Sequence, residues 1–233
     1  MAIDVASAIK YVQATLTSSA DPEKAEGMQA YMKTDMPFYG VQKPGRTVIL
    51  RHLRNEFAPR THREYMELAT ALWQLPHREE KYLAQGVATM FNQFITPASL
   101  PLYQRFITEG AWWDFVDEAA THMVREVVIG FADETWPIVD QWVDDHDMWL
   151  RRAAIICQVG AQERTDAERL FSFCERRLHE KEFFIRKAVG WALREYARTD
   201  PGAVADFVVE HRDRLSGLSY REATKHIQEL VAP

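Results

Sequence analysis

The densest run of residues able to do chemistry is Ala111-Trp112-Trp113-Asp114-Phe115-Val116-Asp117. On a helix, Trp113 and Asp117 stand four residues apart, one turn from each other on one face, so an indole and a carboxylate can meet the same ligand. Asp114, beside the helix start, suits a cap or the positive end of the helix dipole. Taken alone, Asp117 reads more simply as a solvated or ion-paired helix acid than as a catalytic one.

Two further segments carry cations beside aromatics. Arg152 closes Trp149-Leu150-Arg151-Arg152, and Lys187, Trp191 and Arg194 fall at i, i+4 and i+7 of a second run. That spacing lines two cations and an indole along one helix stripe, where the cations can grip phosphates while the ring meets a sugar or base. The planar fork of arginine suits such a contact. Ion pairing with Glu195 or a neighbouring helix, around a buried Trp, explains the same residues without a ligand.

Other chemistries lack their residues. The chain has no GxGxxG, GxxxxGK[ST], HExxH or GxSxG, and its eight His residues show no metal-ligand spacing with a carboxylate or Cys. No metal site and no cofactor are expected. His52 beside Arg51, and His226 beside Lys225, suit solvent or a phosphate better than catalysis. Cys157 and Cys174 make neither a disulfide framework nor a zinc site, and Cys157 on its apolar run reads as a small buried hydrophobe.

The elements that must hold these residues are helices. Apolar residues recur at three- and four-residue steps over 3–16, 23–34, 62–74, 79–95, 100–108, 112–129, 136–144, 148–160, 166–179, 182–198, 202–211 and 219–230, separated by punctuation such as Asp21-Pro22, Pro44-Gly45 and Asp200-Pro201. No alternating strand is evident, so the chain is expected to be all-α. Arg-x-Ala opens at Arg151, Arg186 and Arg221, spaced by 35 residues, and Trp73, Trp113, Trp149 and Trp191 recur at comparable intervals. Two-helix repeats of about 35 to 47 residues mark HEAT-like α-solenoids, whose stacked helices line a concave face. With no linker or low-complexity segment, 1–233 is expected to form one continuous repeat domain.

Composition sets bounds around this reading. Of 233 residues, 47% are hydrophobic and 27% charged, which fits a folded chain and not a disordered one. No stretch reads as a membrane span or a signal peptide, so a cytoplasmic location without membrane contact is expected. The net charge of -6 is uneven: residues 111–150 carry one Lys or Arg against ten Asp or Glu, and the remainder is slightly positive. Because screening confines surface fields to about 8 to 10 Å, a local basic face can still bind a polyanion.

The segments Ala25 to Lys33, Trp112 to Asp117, Trp149 to Ile155, Lys181 to Ala197 and Leu218 to Ala223 resemble, in order and spacing, the AlkD family of alkylpurine DNA glycosylases. The resemblance runs over essentially the whole chain, and its most specific part is the block from Lys181 to Ala197. It implies a curved stack of HEAT-like repeats whose concave face holds duplex DNA containing alkylated purines. It implies hydrolysis of the N-glycosidic bond of cationic N3- and N7-alkylpurines without enclosing the base in a pocket. The family's catalytic cleft falls on Asp117, Trp113 and Trp191, with Arg152 holding a phosphate beside it. Tyr31 and Arg194 match further positions near the DNA, and Lys187 joins them through its stripe. The acidity of 111–150 departs from a basic cleft.

That activity suits these residue types. An alkylated purine is already cationic and leaves as a neutral base, so little general acid is needed. A carboxylate about 3 to 4 Å from the sugar can stabilise the developing oxocarbenium ion and orient water. Indole faces add a negative quadrupole. With water as the nucleophile, a monofunctional enzyme acting as a monomer is expected. The competing expectation is a non-catalytic HEAT-like scaffold that binds DNA or protein, which would have no need of Asp117 together with both tryptophans.

Overall fold

The computed structural model describes residues 3–231, and every regular element among them is helical. Two compact units divide the chain at Ile95 and Thr96.

The N-terminal unit holds α1 (Val5–Ser18), α2 (Pro22–Met32), α3 (Lys43–Glu56), α4 (His62–Trp73) and α5 (Arg78–Met90). Its core is set by the helical spacing of Ala8, Val12 and Leu16 on α1, Ile49 and Leu53 on α3, Tyr65, Leu68 and Leu72 on α4, and Leu83 and Val87 on α5. Asp4, Asp21 and Thr61 cap their helices with side-chain acceptors. α3 lies in a stretch, 35–61, that shows no clear periodicity in the sequence. Pro44-Gly45 reads there as a turn, yet Pro44 sits in the first turn of α3, where its missing N–H costs nothing. The loop leading into α3 is pinned from below by buried Glu79: its Oε2 accepts from Tyr39 N at 3.1 Å, and its Oε1 from Gly40 N at 2.8 Å and Val41 N at 3.0 Å. Gly40 has φ +88°, and a Cβ there would meet the Asp21 carbonyl oxygen at 2.1 Å, so only glycine fits.

The C-terminal unit opens with α6 (Leu100–Gly110). A continuous helical run follows, made of α7 (Trp113–Glu118), a π-helical turn over Ala119–Val124 and α8 (Arg125–Gly130). Then come α9 (Ala132–Trp142), α10 (Met148–Ile156), α11 (Ala167–Arg176), α12 (Phe183–Tyr196), α13 (Pro201–Glu210) and α14 (Gly217–Ala223). The last six are three two-helix repeats. α7, α10, α12 and α14 pack in succession as one layer, and α9, α11 and α13 form a second. The second layer stacks through Trp136 on Phe173 and Phe171 on Phe207, with centroids 6.2 and 5.1 Å apart. This helical-repeat stack agrees with the expected α-solenoid class, and the 35-residue spacing reappears as equivalent positions on successive helices.

The acidic block also finds its place. Asp140 pairs with Arg169, and Asp144 with Arg176 and Arg177, so acids of α9 and the loop after it are met by arginines of α11 and its C-cap. Arg151 grips Glu180 with Nε at 2.9 Å and Nη2 at 3.1 Å. Asp140 and Asp144 of the acidic block are thus met by cations of the next repeat. Both cysteines are buried, and burial pushes their thiols upward. No described helix is long and apolar enough to cross a membrane.

Candidate functional site

α7 places Trp113 and Asp117 one turn apart, a rise of about 6 Å. Asp114 lies in the first turn as a dipole-compatible acid. The N-cap position belongs to Trp112, whose side chain makes no cap bond. The π turn begins two residues after Asp117, and the Thr121 hydroxyl donates to the Asp117 carbonyl at 2.7 Å. Single π turns are a common way to re-aim a helix at a functional position.

Asp117 is held by Arg152 of α10, 35 residues later. Arg152 Nε donates to Asp117 Oδ1 and Nη2 to Oδ2, each at 2.7 Å, while Nη1 donates to the Phe184 carbonyl at 2.7 Å. One guanidinium thus ties α7, α10 and the start of α12 together, in the planar two-bond geometry that arginine alone provides. The Arg152 side chain is 4% exposed and that of Asp117 19%. Burial pushes the Asp117 carboxyl above its ordinary value, with Arg152 opposing the rise and Asp114 adding to it.

Arg152, expected to hold a phosphate, is also tied into the protein through most of its donors. The structure buries it and commits three of its N–H groups to the protein, because desolvating Asp117 demands a paired cation. Its position makes it a support for Asp117.

Trp191 sits in the middle of α12. Phe184, Lys187, Trp191 and Arg194 form one stripe of that helix, and Trp191 lies about 10 Å along it from the carbonyl that anchors Arg152. Trp113 and Trp191 are both partly exposed and make no ring contact among the described residues. Trp112 and Trp149 behave differently, clustering with Phe184 at centroid distances of 5.5 and 4.9 Å. The expected pair of indoles is thus the pair left free of the aromatic core.

Lys187 and Arg194 converge on one acid that sequence reasoning missed, Glu222 of α14. Lys187 Nζ meets Glu222 Oε1 at 2.7 Å and Arg194 pairs with Oε2. Lys187 foremost, then Arg194 and Lys225, hold the Glu222 carboxyl below its ordinary range. The signal was present in the sequence: Asp117, Arg152, Lys187 and Glu222 follow one another at intervals of 35, one per repeat. Gly190 permits this closeness, since a Cβ there would stand 2.5 Å from Glu222 Cβ and 3.0 Å from the Ser219 carbonyl oxygen. Tyr31 belongs to α2 of the N-terminal unit and is 73% exposed.

Comparison with known proteins gives these observations a setting. The family described as DNA alkylation repair enzyme matches residues 12–227. A solved structure described as a predicted DNA alkylation repair enzyme from Enterococcus faecalis is 29% identical, with a TM-score of 0.81, covering 89% of this chain and 96% of that one. AlkD2 from Streptococcus mutans shares the fold at 16% identity and a TM-score of 0.62, over 87% of this chain and 99% of that one. The smu.31 protein from Streptococcus mutans UA159 does so at 16% identity and 0.60, over 76% and 90%. Comparison with curated proteins returns no match.

Proposed function

Because the chain belongs to the family of DNA alkylation repair enzymes, we propose that it is a monofunctional glycosylase hydrolysing the N-glycosidic bond of cationic N3- and N7-alkylpurines in duplex DNA. The observation that carries the reading is the Asp117 carboxylate, partly exposed and clamped through both oxygens by Arg152, one turn from an indole that joins no aromatic cluster.

A cationic alkylpurine needs only its sugar stabilised as the bond to C1′ lengthens. The electron pair of that bond leaves with the base, which becomes neutral, and positive charge spreads over the sugar C1′ and ring oxygen. Asp117 meets that charge. It then orients water for attack at C1′ and takes the proton released. Held by Arg152, the carboxylate has no reorganisation to undergo as charge develops. Trp113 and Trp191 add their negative ring faces and exclude bulk water. Nothing in this scheme requires the base to enter a pocket, in contrast to enzymes that flip it.

The test is release of free base from methylated duplex under single turnover. Wild type should release N3-methyladenine or N7-methylguanine. Asp117→Asn should lower the rate by about 100-fold or more while duplex affinity stays equal or rises, because the lost interaction forms only in the transition state. Duplex binding without base release by wild type would favour the non-catalytic scaffold.

A further inference from the structure

Glu222 of α14 has no part in the reaction proposed above, yet it holds the two cations that flank Trp191 on its stripe. Lys187 and Arg194 are seven residues apart on α12, about 10 Å along its axis, and both end on this one carboxylate. It must therefore stand midway between them. The backbone agrees, since a Cβ on Gly190 would lie 2.5 Å from Glu222 Cβ. Trp191 follows Gly190 directly, so the acid is seated beside the root of that indole, with a cation reaching in from either end.

The pairing is built to persist. Glu222 is partly buried, and Lys187 foremost, then Arg194 and Lys225, hold its carboxyl below the ordinary range, so it stays charged at neutral pH. Glu195 stands 3.8 Å from Arg194 Nε, beyond hydrogen-bond distance, which leaves Glu222 as the acid that fixes Arg194. Charge-assisted bonds to a partly buried carboxylate are stronger than ion pairs in open solvent. For Lys187 or Arg194 to meet a phosphate, that phosphate has to displace Glu222 or sit beside its negative charge.

We infer that Glu222 is a specificity-determining residue, withholding Lys187 and Arg194 from the backbone of undamaged duplex and yielding them only where a lesion engages Trp191. Phosphate contacts supply nearly all non-specific affinity and carry no sequence information. Keeping two cations beside the site occupied on intact DNA therefore widens the gap between damaged and undamaged duplex, which is what specificity measures. At a lesion, contact with Trp191 offsets the loss of the ion pairs; intact duplex, without that contact, leaves them closed. The inference deepens the proposed function and rests on it for the identity of the ligand.

The experiment follows duplex binding by fluorescence anisotropy across a salt series, with melting curves as a check on folding. Lesion affinity is read in the Asp117→Asn background, where N7-methylguanine stays in place long enough to titrate. Glu222→Gln should bind undamaged duplex about three- to tenfold more tightly, with a salt slope steeper by about one to two, and the lesion should gain less. Glu175→Gln removes the same charge from an exposed pair with Arg214 and should stay within about twofold of wild type. In a K187Q/R194Q background Glu222→Gln should add nothing, because its effect passes through those two cations. Should Glu222→Gln melt too early to assay, K187Q/R194Q decides alone: it should weaken lesion binding more than undamaged binding. Unchanged or weaker undamaged binding by Glu222→Gln, an equal gain on both duplexes, the same gain from Glu175→Gln, or an equal loss on both duplexes in K187Q/R194Q overturns the inference. Base release by wild type separates this from failure of the enzyme reading. A wild type that releases no base, with the affinities shifting as expected, would leave Glu222 in its role and remove the glycosylase.

Discussion

At the scale of residues, one carboxylate, Asp117, has to be ionised and aimed for the proposed reaction. Burial raises the Asp117 carboxyl above its ordinary 3.8, against the pull of Arg152. In the folded protein this group therefore takes up its proton at higher pH than a free aspartate. The ionised form is fully present only above the raised value, and it is lost as pH falls through it. Single-turnover base release should accordingly decline on the acid side from a pH above that of an ordinary aspartate. A limb centred at or below 3.8 would show that Arg152 outweighs burial. Arg152 supplies the second prediction. Arg152→Lys retains a charge but not the two-bond grip, so release should slow while duplex affinity and salt slope change little. Arg152→Ala strands a buried carboxylate and should also destabilise the fold, by about 3 to 5 kcal/mol. If either variant instead binds damaged and undamaged duplex equally weakly, with a slope lower by about one, Arg152 reaches a phosphate as the family resemblance implies.

At the scale of elements, the C-terminal unit depends on close approach between like-placed helices. A methyl group at Gly190 would stand 2.5 Å from Glu222 Cβ and 3.0 Å from backbone of α14, so Gly190→Ala should push α14 outward. Thermal unfolding should show a loss of about 1 to 3 kcal/mol, together with weakened pairing of Lys187 and Arg194 to Glu222. An unchanged melting curve would mean that α14 yields freely. These elements were unequally legible in the sequence. The helices that carry Trp113, Asp117, Trp191 and the Lys187 stripe announce themselves because apolar periodicity, caps and the 35-residue repeat agree. α3 was missed because Pro44-Gly45 is a turn signal unless one knows that the helix starts just there. The π turn after Asp117 left no trace, since its residues fit an α-helical pattern equally well. The partner of Arg152 was hidden for another reason: spacing of 35 shows that two positions are equivalent in neighbouring repeats, but not that their side chains meet.

At the scale of the whole molecule, a net charge of -6 coexists with a DNA-directed role because the charge is partitioned. Asp140 of α9 and Asp144 just after it pair with Arg169, Arg176 and Arg177, while cations such as Lys43, Arg51 and Arg54 of α3 enter no ion pair among the described residues. In the proposed reaction Asp117 drives departure of a base that already carries its positive charge, with no pocket to enclose it. Selectivity must then come from the lability of the cationic base and the ease of distorting a damaged pair, not from walls that reject large substituents. The most direct measurement is single-turnover release from matched duplexes carrying N7-methylguanine, a bulky cationic N3 or N7 adduct, uracil or hypoxanthine, with wild type and Asp117→Asn side by side. Both cationic lesions should be released in an Asp117-dependent way, and uracil and hypoxanthine should not be released, because their departure needs protonation that a carboxylate cannot supply. Efficient excision of a neutral base, or rejection of every adduct larger than methyl, would contradict it.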